Sequence, residues 1–129
     1  MQRLIDTHHR ILKQTKTTIK RYLYEEINWG NRLIAITGQR GTGKTTILLQ
    51  RIKAAKDATD YLYISADSLF IYKLSLYEIA LSFSNNGGKY LFIDEVHKYQ
   101  SWSGEIKHIY DSIPDLNIVF TGSSILDIM

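Results

Sequence analysis

The stretch LIAITGQRGTGKTTILLQRIKAA, Leu33 to Ala55, decides how the rest of the chain is read. Its first six residues, LIAITG, form a nearly continuous apolar run. A run of that length suits a strand buried on both faces, as in a parallel sheet. The closing residues, TTILLQRIKAA, have helical propensity, with Ile47, Leu48, Ile52 and Ala55 on one side. Between them lies GQRGTGKTT (Gly38 to Thr46), which satisfies G-x-x-x-x-G-K-[ST]. A strand before that pattern and a helix after it are the context in which it cradles phosphate. The plainer reading is a glycine turn carrying a surface lysine, and it leaves that context unexplained.

The chemistry of the loop follows from its residue types. The first turn of a helix has unpaired N–H groups, and its dipole favours negative charge. Gly38, Gly41 and Gly43 carry no Cβ, so the backbone can wrap close to phosphate oxygens. Lys44 brings a mobile cation to the β- and γ-phosphates, and Thr45 offers a hydroxyl to Mg²⁺. Gln39, Arg40, Thr42 and Thr46 complete the candidate triphosphate-binding segment.

A metal–triphosphate site also needs a carboxylate held close to the metal. YLFIDE (Tyr90 to Glu95) reads as a third strand ending in two acids. Adjacent acids usually mean a solvated loop, but four apolar residues precede these. Asp94 is the candidate to reach Mg²⁺ through water. Glu95 is the candidate to orient the attacking water and accept its proton. NIVFTGSS (Asn117 to Ser124) reads as a fourth strand with a polar end. If it lies between the first and third strands, a hydroxyl of Thr121, Ser123 or Ser124 points at the γ-phosphate and can sense it. An ordinary strand-to-loop transition explains the same residues equally well, and which hydroxyl would serve stays open.

The remaining segments keep the alternation going. YLYISA (Tyr61 to Ala66) reads as a second strand. SLYE (Ser75 to Glu78) is a capping box opening a helix of about ten residues. NNGG (Asn85 to Gly88) is a loop. GEIKHIYDSI is an amphipathic helix with Ile106, Ile109, Tyr110 and Ile113 inward, stopped by Pro114. Alternating strands and helices predict an α/β fold, a parallel sheet covered on both faces. Residues 2–27 show helical spacing with a gap near Thr15, as one long or two short helices, and NWGN (Asn28 to Asn31) is a turn. The expected division is an N-terminal helical segment, 1–28, packed on a core spanning 29–129.

Composition sets the outer bounds. The 129 residues are 44% hydrophobic and 22% charged, which is the composition of a globular protein. There is no cysteine, which excludes disulfide scaffolds and thiolate metal sites. No window approaches a membrane helix and the N-terminus lacks a signal-peptide run, so a cytoplasmic protein is expected. The net charge of +3 permits an anionic ligand or nucleic acid and argues for neither. The basic residues from Arg3 to Arg21 read as a solvated helix face.

Three blocks, GQRGTGKTT, YLFIDEVHKYQSW and IVFTGSS, together resemble a family of AAA+-like P-loop ATPases of bacteria and archaea. The resemblance spans residues 30–125 or so. It implies ATP and Mg²⁺ as ligands, with Gly38 to Thr46 binding the triphosphate, Asp94 assisting Mg²⁺ and Glu95 activating water. It implies a P-loop NTPase three-layer sandwich whose fourth strand inserts between the first and third. It also implies a fifth strand beside the first, a lid domain, and an arginine supplied by a neighbouring subunit. The sequence departs from that pattern: SSILDIM follows the fourth strand and the last arginine is Arg51. The expectation is therefore a core truncated after the fourth strand, with the fifth missing and Arg40 facing outward. Self-association belongs to the longer protein, and a nucleic-acid partner rests on family analogy alone.

Three other readings compete. A nucleotide-binding switch, or an inactive fragment with little turnover, needs the same loop without efficient hydrolysis. DEVH (Asp94 to His97) resembles the second motif of DExH-box helicases, but Lys44 and Asp94 are only 50 positions apart. His8 and His9 suggest a metal pair only superficially, because adjacent helical residues point in different directions. Trp29, Trp102 and the nine tyrosines read as packing, with Trp29 near a nucleotide base as the alternative.

Overall fold

The computed structural model describes residues 4–7, 27–38 and 43–122. Most of the expected N-terminal helices, His8 and His9, Gln39 to Thr42, and Ser123 and Ser124 lie outside them. Four strands form one parallel sheet: β1 (Leu33–Thr37), β2 (Tyr61–Ser65), β3 (Tyr90–Asp94) and β4 (Asn117–Gly122). Their spatial order is β1-β4-β3-β2, so the fourth strand does lie between the first and third. The helices are α1 (Lys44–Lys53), α2 (Ala66–Tyr72), α3 (Leu76–Asn85) and α4 (Trp102–Ser112).

Strand periodicity builds the layers. Successive side chains point to opposite faces. Leu62, Ile64, Leu91, Ile93, Ile118 and Phe120 therefore share one face, with Leu69, Leu76, Ile79, Ile106 and Ile109 packed over it. Leu4 is buried in the same cluster. Tyr61, Tyr63, Phe92 and Val119 share the opposite face and meet Ile47, Leu48, Leu49 and Ile52 of α1. The central strands are apolar on both faces because helices lie on both.

β1 departs from the expectation of two buried faces. Ile36 is buried, but Leu33, Ala35 and Thr37 are exposed. Among the described residues β1 pairs only with β4, and only its α1-facing side is covered. Its start is tied down by Arg32. That guanidinium donates to the carbonyls of Tyr110 (2.5 Å), Ile113 (2.8 Å) and Leu116 (3.0 Å), where α4 ends and the chain turns into β4.

The same contact explains a second departure. Tyr110 does not face inward; it is 37% exposed. The buried stripe of α4 is Ile106, Ile109 and Ile113, and Tyr110 sits beside it with the Arg32 guanidinium 4.1 Å above its ring. Helix α2 is a third difference. The second strand ends at Ser65, and α2 starts at the next residue with no Gly or Pro between them. Ser75 caps the start of α3 as read, its Oγ accepting from Glu78 N at 3.4 Å. Glu105 of α4 reinforces it, accepting from Tyr77 N at 3.0 Å and Ser75 Oγ at 3.2 Å. The turn after α3 needs Gly88, since a Cβ there would meet the Phe83 ring at 2.4 Å.

Candidate functional site

The C-terminal ends of β1, β3 and β4 and the first turn of α1 converge. Gly43 is the N-cap of α1 and has left-handed backbone angles (φ 87, ψ 20), which favour glycine. It accepts the first helical hydrogen bond, from Ile47 N at 3.1 Å. It offers no side chain as a cap, and the first turn contains no acid. No acid of α1 itself therefore offsets the positive end of its dipole. Lys44 is half-buried, its Nζ donating to Gly38 O at 2.6 Å. Thr45 and Thr46 are exposed.

Asp94 and Thr121 point to the α1 side because they follow Phe92 and Val119 by two positions. Asp94 is 4% exposed, and its carboxylate takes three hydroxyl donors. Thr45 Oγ1 and Tyr63 OH donate to Oδ2 at 2.5 and 2.7 Å. Thr121 Oγ1 donates to Oδ1 at 2.5 Å. A carboxylate offers about four acceptor positions. Among the described residues three are filled, which leaves room for one further donor such as a metal-bound water. Thr121 is fully buried, and its hydroxyl also accepts from Glu95 N at 2.8 Å. It therefore lies beneath the two acids and joins them.

Glu95 leaves the strand in the left-handed region (φ 56, ψ 53), unusual for a residue with a Cβ and costing roughly 1–2 kcal/mol. Its side chain turns to Lys98, 2.9 Å from Oε2, and Lys98 also meets Asp67 Oδ2 at 3.1 Å. Hydrogen bonds to Glu95 and Asp67 hold the Lys98 ammonium above the usual lysine range. His97 is exposed in the 3-10 turn Val96–Lys98.

Sequence reasoning missed Tyr63. Burial, and then the charge of Asp94 beside it, push its phenol well above the ordinary tyrosine value. The signal was present, because a tyrosine in a buried strand needs a partner for its hydroxyl. Trp29 stacks on Phe92 with ring centroids 6.0 Å apart, and the Arg51 guanidinium lies 5.0 Å from the centre of the Trp29 ring. Trp102 packs on Phe120 at 5.7 Å.

The donors fit magnesium. A hydroxyl and a carboxylate are hard oxygen ligands, and Mg²⁺ is commonly held by one or two such groups together with phosphates. No helix among the described residues is long and apolar enough to cross a membrane.

A family model described as AAA domain matches residues 30–129. The chain belongs to the AAA domain family. The glycine loop, the acidic strand end and the β1-β4-β3-β2 sheet of this AAA domain are those of a P-loop ATPase. No curated protein sequence matches the chain. Nine solved chains match in structure. One is a crystal structure of a DNA replication initiation factor, with a TM-score of 0.53 at 20% identity. It aligns with 94% of this chain, which spans only 38% of that protein's length. At that identity the likeness concerns the fold.

Proposed function

We propose that this AAA domain binds ATP with Mg²⁺ and hydrolyses it by water attack on the γ-phosphate. The observation that carries the reading is the contact between Thr45 Oγ1 and Asp94 Oδ2, which joins the glycine loop to the acidic strand end. Lys44 and the N–H groups opening α1 bind the phosphates, together with Gly38 and the loop residues Gln39 to Gly43. Thr45 and Asp94 hold the metal. Mg²⁺, when bound, neutralises charge on the phosphate oxygens. Glu95 takes a proton from the attacking water, with its backbone anchored on Thr121.

A second reading, a slow nucleotide switch, is favoured by the ion pair between Glu95 and Lys98. That contact occupies one oxygen of the base and turns the carboxylate toward Lys98. Two variants separate binding from turnover. Lys44→Ala is expected to abolish the rise in melting temperature that Mg-ATP gives the wild type; an unchanged rise sinks the site. Glu95→Gln is expected to keep that rise and lose phosphate release. A wild type that binds Mg-ATP and releases no phosphate establishes the switch.

A further inference from the structure

We infer that Tyr63 is a positioning residue for the metal: its hydroxyl aims the Asp94 carboxylate and so sets how tightly Mg²⁺ is held with the nucleotide. The inference rests on the proposed Mg-ATP site and adds a residue that the loop and the acidic strand end do not reveal.

The placement follows from strand register. β2 pairs with β3 so that Tyr63 lies opposite Phe92 and Ser65 opposite Asp94. Tyr63, Phe92 and Asp94 therefore share the α1 face of the sheet, with Tyr63 next to Asp94 on the diagonal. A tyrosine is long enough to span that diagonal, and its hydroxyl arrives 2.7 Å from Oδ2. A shorter serine or threonine at position 63 would fall short. The ring is fixed, 6% exposed and packed in the cluster with Phe92 and Val119. The hydroxyl is therefore presented from a packed strand, whereas that of Thr45 comes from the exposed first turn of α1.

What the contact does follows from the torsions of aspartate. The terminal torsion of an Asp side chain is broad, so burial alone does not fix which way its oxygens point. Thr121 fixes Oδ1. Oδ2 is shared by Thr45 and Tyr63. Thr45 is itself a proposed metal ligand, and its oxygen is drawn toward the cation on binding. Tyr63 is thus the partner of Oδ2 that stays in place while the metal comes and goes. It keeps the remaining acceptor position of Asp94 aimed outward. Hydrogen-bond partners behind a metal-binding group commonly change metal affinity by about 10–100-fold when removed.

The test is Tyr63→Phe, which deletes one oxygen and keeps the ring. ATP binding is measured by calorimetry across a magnesium series and again in EDTA. The expected result is a half-saturating Mg²⁺ concentration raised about tenfold, at the lower end of that range, with ATP affinity in EDTA unchanged. In an Asp94→Asn background the substitution is expected to have no further effect on magnesium. An unchanged magnesium requirement overturns the inference. So does an equal loss of ATP binding with and without Mg²⁺, or an undiminished effect in the Asp94→Asn background. If the Phe variant melts too low to assay, 3-fluorotyrosine placed at position 63 keeps the packing and makes a stronger donor. It is expected to lower the magnesium requirement, and no change there counts against the role. A wild type with no magnesium-dependent ATP binding refutes the proposed function itself, and that is read before any variant is made.

Discussion

Thr45 Oγ1 lies 2.5 Å from Asp94 Oδ2, although 49 positions separate the two residues. Neither side chain reaches the other through local structure. Thr45 stands in the first turn of α1, and Asp94 ends β3, two strands away from the β1 strand that feeds α1. The insertion of β4 between β1 and β3 sets the spacing that lets them meet. The candidate site is therefore a product of sheet order as much as of its two motifs.

Thr121 is the buried junction of that site. Thr121→Val keeps the volume and removes the hydroxyl, which leaves Asp94 Oδ1 and Glu95 N without their partner. The expected cost is about 2 kcal/mol of folding stability, read from urea unfolding. Mg-ATP stabilisation is expected to fall as well. A variant as stable as the wild type would show that Thr121 does not join the two acids in solution.

Arg32 links the start of β1 to the end of α4. Three carbonyl acceptors and the Tyr110 ring depend on it. Arg32→Ala is expected to destabilise the fold by about 2–3 kcal/mol, because the carbonyls lose charge-assisted donors. Tyr110→Leu, which keeps the carbonyl at position 110, is expected to cost well under half of that. Equal losses in the two variants would mean that the ring contact, not the carbonyl bonds, carries the staple.

Gln50 offers a gain instead. It is 1% exposed on α1, and its amide has no hydrogen-bond partner among the described residues. Burying an unpaired amide costs roughly 1–3 kcal/mol. Gln50→Met has similar length and no such demand, and it is expected to raise the melting temperature by several degrees in calorimetry. A lower melting temperature would show that the amide is paired in solution.

The tyrosines set the alkaline limit. Burial, followed by the hydrogen bond to Glu105, raises the Tyr99 phenol above its ordinary value. Burial likewise raises Tyr61. The unfolded chain loses these protons from about pH 10, while the folded chain keeps them to higher pH. The unfolded state then binds fewer protons, so stability falls as pH rises through that window and is fully present below it. Tyr99→Phe is expected to flatten the fall above about pH 10, read as melting temperature against pH. An unchanged slope would place the Tyr99 phenol in water.

Much of this was legible in the chain because the signals are local. Strand-length apolar runs, the capping box at Ser75 and Glu78, and the glycine loop each lie within a dozen residues. The misreadings also have local causes. Tyr110 sits one position round the helix from Ile109 and fits an apolar pattern as well as an inward residue does. Helix α2 follows β2 without a breaker, so its run of apolar residues carried no boundary. β1 has the composition of a buried strand, but composition does not record how many faces are covered.

The sequence by itself determined the four strands and their order along the chain, the glycine-loop motif, and the two adjacent acids at the end of the third strand, since each is written in contiguous residues. Only the tertiary structure decided which hydroxyls hold Asp94, that Thr121 lies beneath the acids, and that Glu95 leans on Lys98. Those contacts depend on strand order and register. Register turns every second side chain toward one face and brings together residues that no spacing in the chain connects.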